Sequence, residues 1–93
     1  MAAASHKIIA ALAMNNLGAL YDNGSGVTRD FAEARKWYEK AAVLGNAIAM
    51  RNLGNLFEHG RGVRKDRQQA RQWYQKAADA GDEEAKRRLA AFK

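Results

Sequence analysis

Residues Ala13–Gly45 read AMNNLGALYDNGSGVTRDFAEARKWYEKAAVLG, and Ala49–Gly81 read AMRNLGNLFEHGRGVRKDRQQARQWYQKAADAG. The second stretch repeats the first 36 residues later without a gap. Leu17-Gly18 returns as Leu53-Gly54, Gly24 and Gly26-Val27 as Gly60 and Gly62-Val63, and Asp30 as Asp66. Ala34 returns as Ala70, Trp37-Tyr38 as Trp73-Tyr74, and Lys40-Ala41-Ala42 as Lys76-Ala77-Ala78. A unit that returns with its aromatics and glycines in register folds as one supersecondary element stacked on its copy. A third copy begins with Ala85, Leu89, Ala90 and Phe92, and carries Lys86, Arg87, Arg88 and Lys93, the polar outer surface a terminal helix needs.

Each unit reads as two helices. Apolar residues recur at helical spacing over roughly 46–58 and again over roughly 66–80, and the first unit repeats this with one helix ending near Tyr21 and another over about 30–44. The punctuation is specific. Asp30 with Glu33, and Asp66 with Gln69, have capping-box spacing. Gly45-Asn46 and Gly81-Asp82 pair a left-handed helix stop with a fresh N-cap. Gly24 and Gly60 are expected at positive φ between the helices. Gly18 and Gly54 instead sit inside helices, at a cost of about 1 kcal/mol each relative to alanine, which points to close approach by the Trp or Tyr of the facing helix. The Trp-Tyr pairs are therefore expected in the core.

The pattern Ala-x3-Leu-Gly-x-Leu-Tyr-x2-Gly-x-Gly-Val-x2-Asp-x3-Ala-x2-Trp-Tyr-x-Lys-Ala-Ala-x2-Gly resembles the Sel-one-like repeat family, relatives of the tetratricopeptide repeats. Phe57 replaces the first Tyr in the second copy. The resemblance implies an all-α, right-handed superhelix of two helix hairpins plus a C-terminal capping helix. Its first helices would line a concave face, and its role would be that of a non-enzymatic adaptor or scaffold. On this frame residues 1–12 form an N-terminal helical extension, 13–48 and 49–84 the two repeats, and 85–93 a partial third repeat. The resemblance also places Asn15 and Ala19, Arg51 and Asn55, and Arg87 and Ala91 along the concave groove, with Asn52 and Arg88 beside it. Arginine offers a forked donor to carboxylates and asparagine can bond a peptide backbone, so the expected partner is a protein or peptide with acidic character. A plain solvated helix face is the alternative for the same residues.

Composition narrows the rest. The 93 residues carry a net charge of +6, no proline and no cysteine, so neither a disulfide nor a thiolate metal site exists. The missing cysteine fits a reducing, cytoplasmic setting and leaves a secreted or periplasmic one open. No apolar run approaches the roughly 20 residues that cross a bilayer. The short run Ile8–Met14 with Ala11 and Ala13 has the outline of a signal segment, but it flows directly into the repeat. Its apolar residues surround the helix, so this end is expected to form a homodimer, to dock on a partner, to have abutted another repeat, or to fold back as a local cap. Arg61, Arg64, Lys65, Arg67 and Arg71 raise a second reading, binding of nucleic acid or another anionic surface. The first unit lacks that cluster and no aromatic is interleaved to stack bases, so specific nucleic-acid binding is not expected. His6, His59, Ser5 and Ser25 do not form a nucleophile, a base and an orienting third group, and no enzyme activity, metal or cofactor is expected.

Overall fold

A computed structural model describes residues 2–92, with side chains from residue 6 onward; Lys93 and the Ser5 side chain lie outside the described set. Five helices follow in order: α1 (Ala2–Asn23), α2 (Phe31–Val43), α3 (Ala47–His59), α4 (Arg67–Asp79) and α5 (Glu83–Ala91). The strong packing pairs join each helix to the next in sequence, α1 with α2 through α4 with α5. The molecule measures 41 × 32 × 16 Å. Its short dimension fits two helix layers whose axes lie about 8–10 Å apart. The A helices α1, α3 and α5 form one layer, and the B helices α2 and α4 the other. This is the all-α hairpin solenoid expected from the repeat.

The turns repeat as faithfully as the helices. Gly45 N–H donates to the Ala42 carbonyl at 2.9 Å and Asn46 N–H to the Ala41 carbonyl at 3.1 Å. That pair of bonds is the Schellman closure of α2, with Gly45 at φ 93°. Asn46 then caps α3, its Oδ1 accepting from Ala49 N–H at 2.8 Å. Gly81 and Asp82 do the same between α4 and α5, Asp82 accepting from Ala85 N–H at 2.9 Å. Asp30 and Asp66 accept from Glu33 and Gln69 N–H, both at 3.0 Å, and share φ −152° and ψ 99°.

Alanine makes the hairpins close. Ala34, Ala41, Ala49, Ala70, Ala77 and Ala85 are fully buried, together with Leu53, Leu56 and Tyr74, and Tyr38 is 2% exposed. The Trp-Tyr pairs therefore divide. Both tyrosines lie in the core, whereas Trp37 and Trp73 are half-buried, each with a lysine over its ring, Lys40 at 4.7 Å and Lys76 at 4.6 Å. The mid-helix glycines are explained by the tyrosines. A Cβ on Gly18 would stand 2.5 Å from the Tyr38 ring, and one on Gly54 2.7 Å from the Tyr74 ring.

The N-terminal end differs from one expectation. It does not fold back as a cap: α1 runs unbroken to Asn23, nine residues longer than α3, with Ile8, Ile9 and Leu12 exposed. Among the described residues no helix is long and apolar enough to cross a membrane.

Candidate interaction surface

The outer row of the A helices follows helical spacing: Leu12, Asn16 and Ala19 on α1, and Ile48, Asn52 and Asn55 on α3. Leu12 and Ile48 are 48% and 42% exposed, a pair of apolar steps one repeat apart. The polar residues around them are largely engaged in joining helix to helix. Asn52 donates from Nδ2 to Asn15 Oδ1 at 3.0 Å, which ties α3 to α1 and leaves Asn15 buried. Arg51 donates from Nε to Asp82 Oδ2 at 2.7 Å, tying α3 to the start of α5. Asn55 accepts from Arg61 of the second loop. Ala19 is half-buried.

Arg51 and Arg87, equivalent by the repeat, therefore have different surroundings. The Arg51 side chain is 25% exposed against an 11% exposed carboxylate, whereas that of Arg87 is 69% exposed and bonded, among the described residues, to Glu84 on its own helix, at 2.9 Å. The Arg87 hydrogen bond holds the Glu84 carboxyl below its ordinary pKa. Arg88 turns toward α3, 4.0 Å from Glu58 and 3.4 Å from Glu84.

Beneath this row lie two networks that inspection of the sequence missed. Tyr38 donates to Asp22 Oδ2 at 2.9 Å, and Arg61 approaches Asp22 Oδ1 at 3.5 Å. Tyr74 donates to Glu58 Oε1 at 2.6 Å, where Arg88 supplies the cation. The signal was present, since Asp22 and Glu58 occupy the same place in the repeat and both are acidic. Burial and then the neighbouring Asp22 charge push the Tyr38 hydroxyl far above the usual tyrosine range. Burial, then the hydrogen bond to Glu58, push Tyr74 up to about 12 from 10.0. A group that holds its proton more tightly when folded stabilises the fold fully below its unfolded pKa and loses that contribution as pH rises through the folded one. Stability should thus fall between about pH 10 and pH 12, together with the rise of tyrosinate absorbance, and Tyr74→Phe should flatten the fall. Urea midpoints measured across that range, showing no difference between wild type and variant, would contradict this.

The second-loop basic cluster is not presented as a unit. Arg61 turns inward to Asp22 and Asn55, and Arg67 and Arg71 lie over the Phe92 ring at 4.3 and 5.8 Å. Arg64 and Lys65 are exposed. This arrangement lends no support to the nucleic-acid alternative. Among the described residues no group of His, Cys, Asp or Glu is placed to hold a metal ion.

Two tandem copies of the Sel1 repeat model match residues 11–46 and 47–82. Comparison with curated proteins gave no match. Among solved structures, a Sel1 repeat protein from Oxalobacter formigenes is 46% identical, with a TM-score of 0.82, over 87% of this chain and 61% of that one. A protective antigen of uropathogenic Escherichia coli with an SLR fold is 41% identical, with a TM-score of 0.80, over 84% of this chain and 17% of that one. Cysteine-rich protein B of Helicobacter pylori is 33% identical, with a TM-score of 0.76, over 81% and 56%. The chain thus spans less than two-thirds of each of these structures. With the Leu-Gly helices, the Schellman joints and the buried tyrosines in the same places in both units, and the repeat model matched twice, the chain belongs to the Sel1 repeat family.

Proposed function

We propose that the chain is a protein-interaction module that binds an acidic peptide or partner segment along the concave row of its A helices. Sel1 repeat proteins generally mediate protein–protein interaction and are generally non-enzymatic scaffolds. The observation that carries the reading is the alternation on that row. Exposed Leu12 and Ile48 offer apolar steps, and Asn55 and Arg87 offer donors beside them, while Arg88 serves the Tyr74–Glu58 network beneath. An extended segment with an apolar side chain on each step and carboxylates toward α5 fits this chemistry. Arg87 is the residue most available to it, because its present partner is an exposed carboxylate that water can replace. Asn15, Asn52 and Arg51 support the row by fixing the spacing of its helices, and Ala19 leaves room between the steps.

The test is a peptide array of acidic and C-terminal carboxylate sequences probed with wild type and with the Arg51→Ala, Arg87→Ala double variant. Retained ligands should bind the variant at least about tenfold more weakly, the loss of one or two charge-assisted bonds. The single Arg87→Ala variant, which leaves the Asp82 contact intact, should carry much of that loss. Equal affinity of both variants and wild type, with unchanged circular dichroism, would remove the proposal.

A further inference from the structure

A hollow of about 580 Å³ opens between the two hairpins, in the layer of the B helices. Glu39, Ala42 and Val43 of α2 form one wall, Trp73 and Lys76 of α4 the other, and Met50 of α3 the floor. All three helices are internal to the stack. Met50 stands about 200° around α3 from Ile48, so the hollow faces away from the concave row.

The lining is mostly apolar. Ala42 is buried, Met50 packs against the cores on both sides of it, and the half-buried Trp73 ring packs against the first of them. Val43 is apolar and yet 83% exposed. Its counterpart in the second unit is Asp79, and the counterpart of Met50 in the third copy is Lys86. The repeat alone therefore does not require an apolar wall and floor here. A hollow of this size, apolar within and with few polar groups at its rim, has the form of a small-molecule site.

The rim decides the charge of the occupant. Glu39 is already answered, since its Oε2 accepts from Arg35 Nε at 3.2 Å. Lys76 is not. Among the described residues no carboxylate lies within ion-pair distance of it, and its ammonium rests 4.6 Å from the centre of the Trp73 ring. The negative end of α2 and the positive start of α3 meet at this joint and offset one another. The ammonium is left as the unanswered charge.

We infer that this hollow binds a small apolar carboxylate, with its hydrocarbon body against Val43, Met50 and the Trp73 ring and its carboxylate on Lys76 Nζ. Lys76 is exposed, so exchanging the ring for a carboxylate costs it little. This is a second site, and it does not depend on the concave-row reading.

The probes are phenylbutyrate, phenylbutanol and phenylbutylamine, one hydrocarbon body with three head groups, titrated into the full chain at neutral pH. The indole N–H signals of both tryptophans are followed by NMR. Trp37 carries Lys40 over its ring but lies outside the hollow, and serves as the internal control. Phenylbutyrate should shift Trp73 and leave Trp37 in place, with a Kd on the order of 1 mM for a ligand of this size. Phenylbutanol should bind up to about fivefold more weakly, the worth of one exposed charge pair, and phenylbutylamine more weakly still. Lys76→Gln should bring phenylbutyrate to the affinity of phenylbutanol. Val43→Asp, at a solvent-exposed position, should weaken both ligands at least about tenfold with unchanged circular dichroism, since a carboxylate would have to be desolvated. The Arg51→Ala, Arg87→Ala variant should bind as wild type does. Absence of a Trp73 shift at millimolar phenylbutyrate would overturn the inference. So would equal binding of phenylbutyrate by wild type and Lys76→Gln, or phenylbutylamine binding as tightly as phenylbutyrate, which would give the rim to Glu39.

Discussion

Replacing Tyr74 by alanine is expected to remove between about a third and all of the chain's stability at room temperature. Tyr74 is fully buried, and truncating a large buried aromatic costs about 3–5 kcal/mol. A domain of this size is stable by only about 5–10 kcal/mol. The ring fills the space opposite Gly54 and meets Phe92 edge-on at 5.9 Å, so its loss empties the joint between α3, α4 and the C-terminal cap together. Tyr74→Phe separates the ring from the hydroxyl. It keeps the packing and removes the 2.6 Å donor to Glu58, with an expected loss of about 1.5–3 kcal/mol for a bond to a charged group. Urea denaturation followed by circular dichroism measures both, and a loss below about 1 kcal/mol for Tyr74→Ala would show that the ring does not hold this joint.

Gly54→Ala should destabilise the chain although it replaces a poor helix former by the best one. Propensity favours alanine by about 1 kcal/mol. Against it stands a methyl group 2.7 Å from two carbons of the Tyr74 ring and 3.2 Å from the Ala70 carbonyl oxygen. The ring cannot swing aside cheaply, because its hydroxyl is anchored on Glu58, and overpacking of this kind costs about 1–3 kcal/mol or more. The net expectation is a loss of up to roughly 2 kcal/mol. The equivalent position in α5 supplies the control. Ala90 is exposed, with no tyrosine ring packed on it among the described residues, so Ala90→Gly should also destabilise, by about 0.5–1 kcal/mol, through propensity alone. Alanine unfavourable at one site and favourable at its repeat mate is a contrast helix propensity cannot produce. Thermal melts of the two variants and wild type decide it.

What could be read from the residues was what is local or repeated. Asp30, Asp66, Asn46 and Asp82 act within three residues of themselves, and all four cap the helices their spacing announced. Gly18 and Gly54 announced a close approach because a glycine inside a helix needs a reason, though only the structure assigns it to the tyrosine rather than the tryptophan. The candidate surface was less legible. Arg51 and Arg87 look alike in the repeat, yet Arg51 finds its carboxylate 31 residues away, and no local pattern encodes that pairing. Asn15 looked like a groove residue and is instead held under Asn52. Asp22 and Glu58 read as ordinary loop and helix-end acids, and their tyrosine partners sit 16 residues on, in another helix. The extension of α1 before Ala13 was legible as helix, but the residue at which it starts was not. The stretch before Ala13 is rich in alanine and carries no proline or glycine to stop a helix, so its start has no punctuation.

The joints between hairpins carry a mechanical consequence. Only residues 44–46 separate α2 from α3, and Asn46 ends one helix through its amide and begins the next through its side chain. There is no slack in such a linkage. One residue gained or lost there would turn all that follows by about 100° about its axis, the angle between neighbouring helical positions. Evolution of such a chain is therefore quantised: it can change the decoration of a unit or the number of whole units, but not the phase between them.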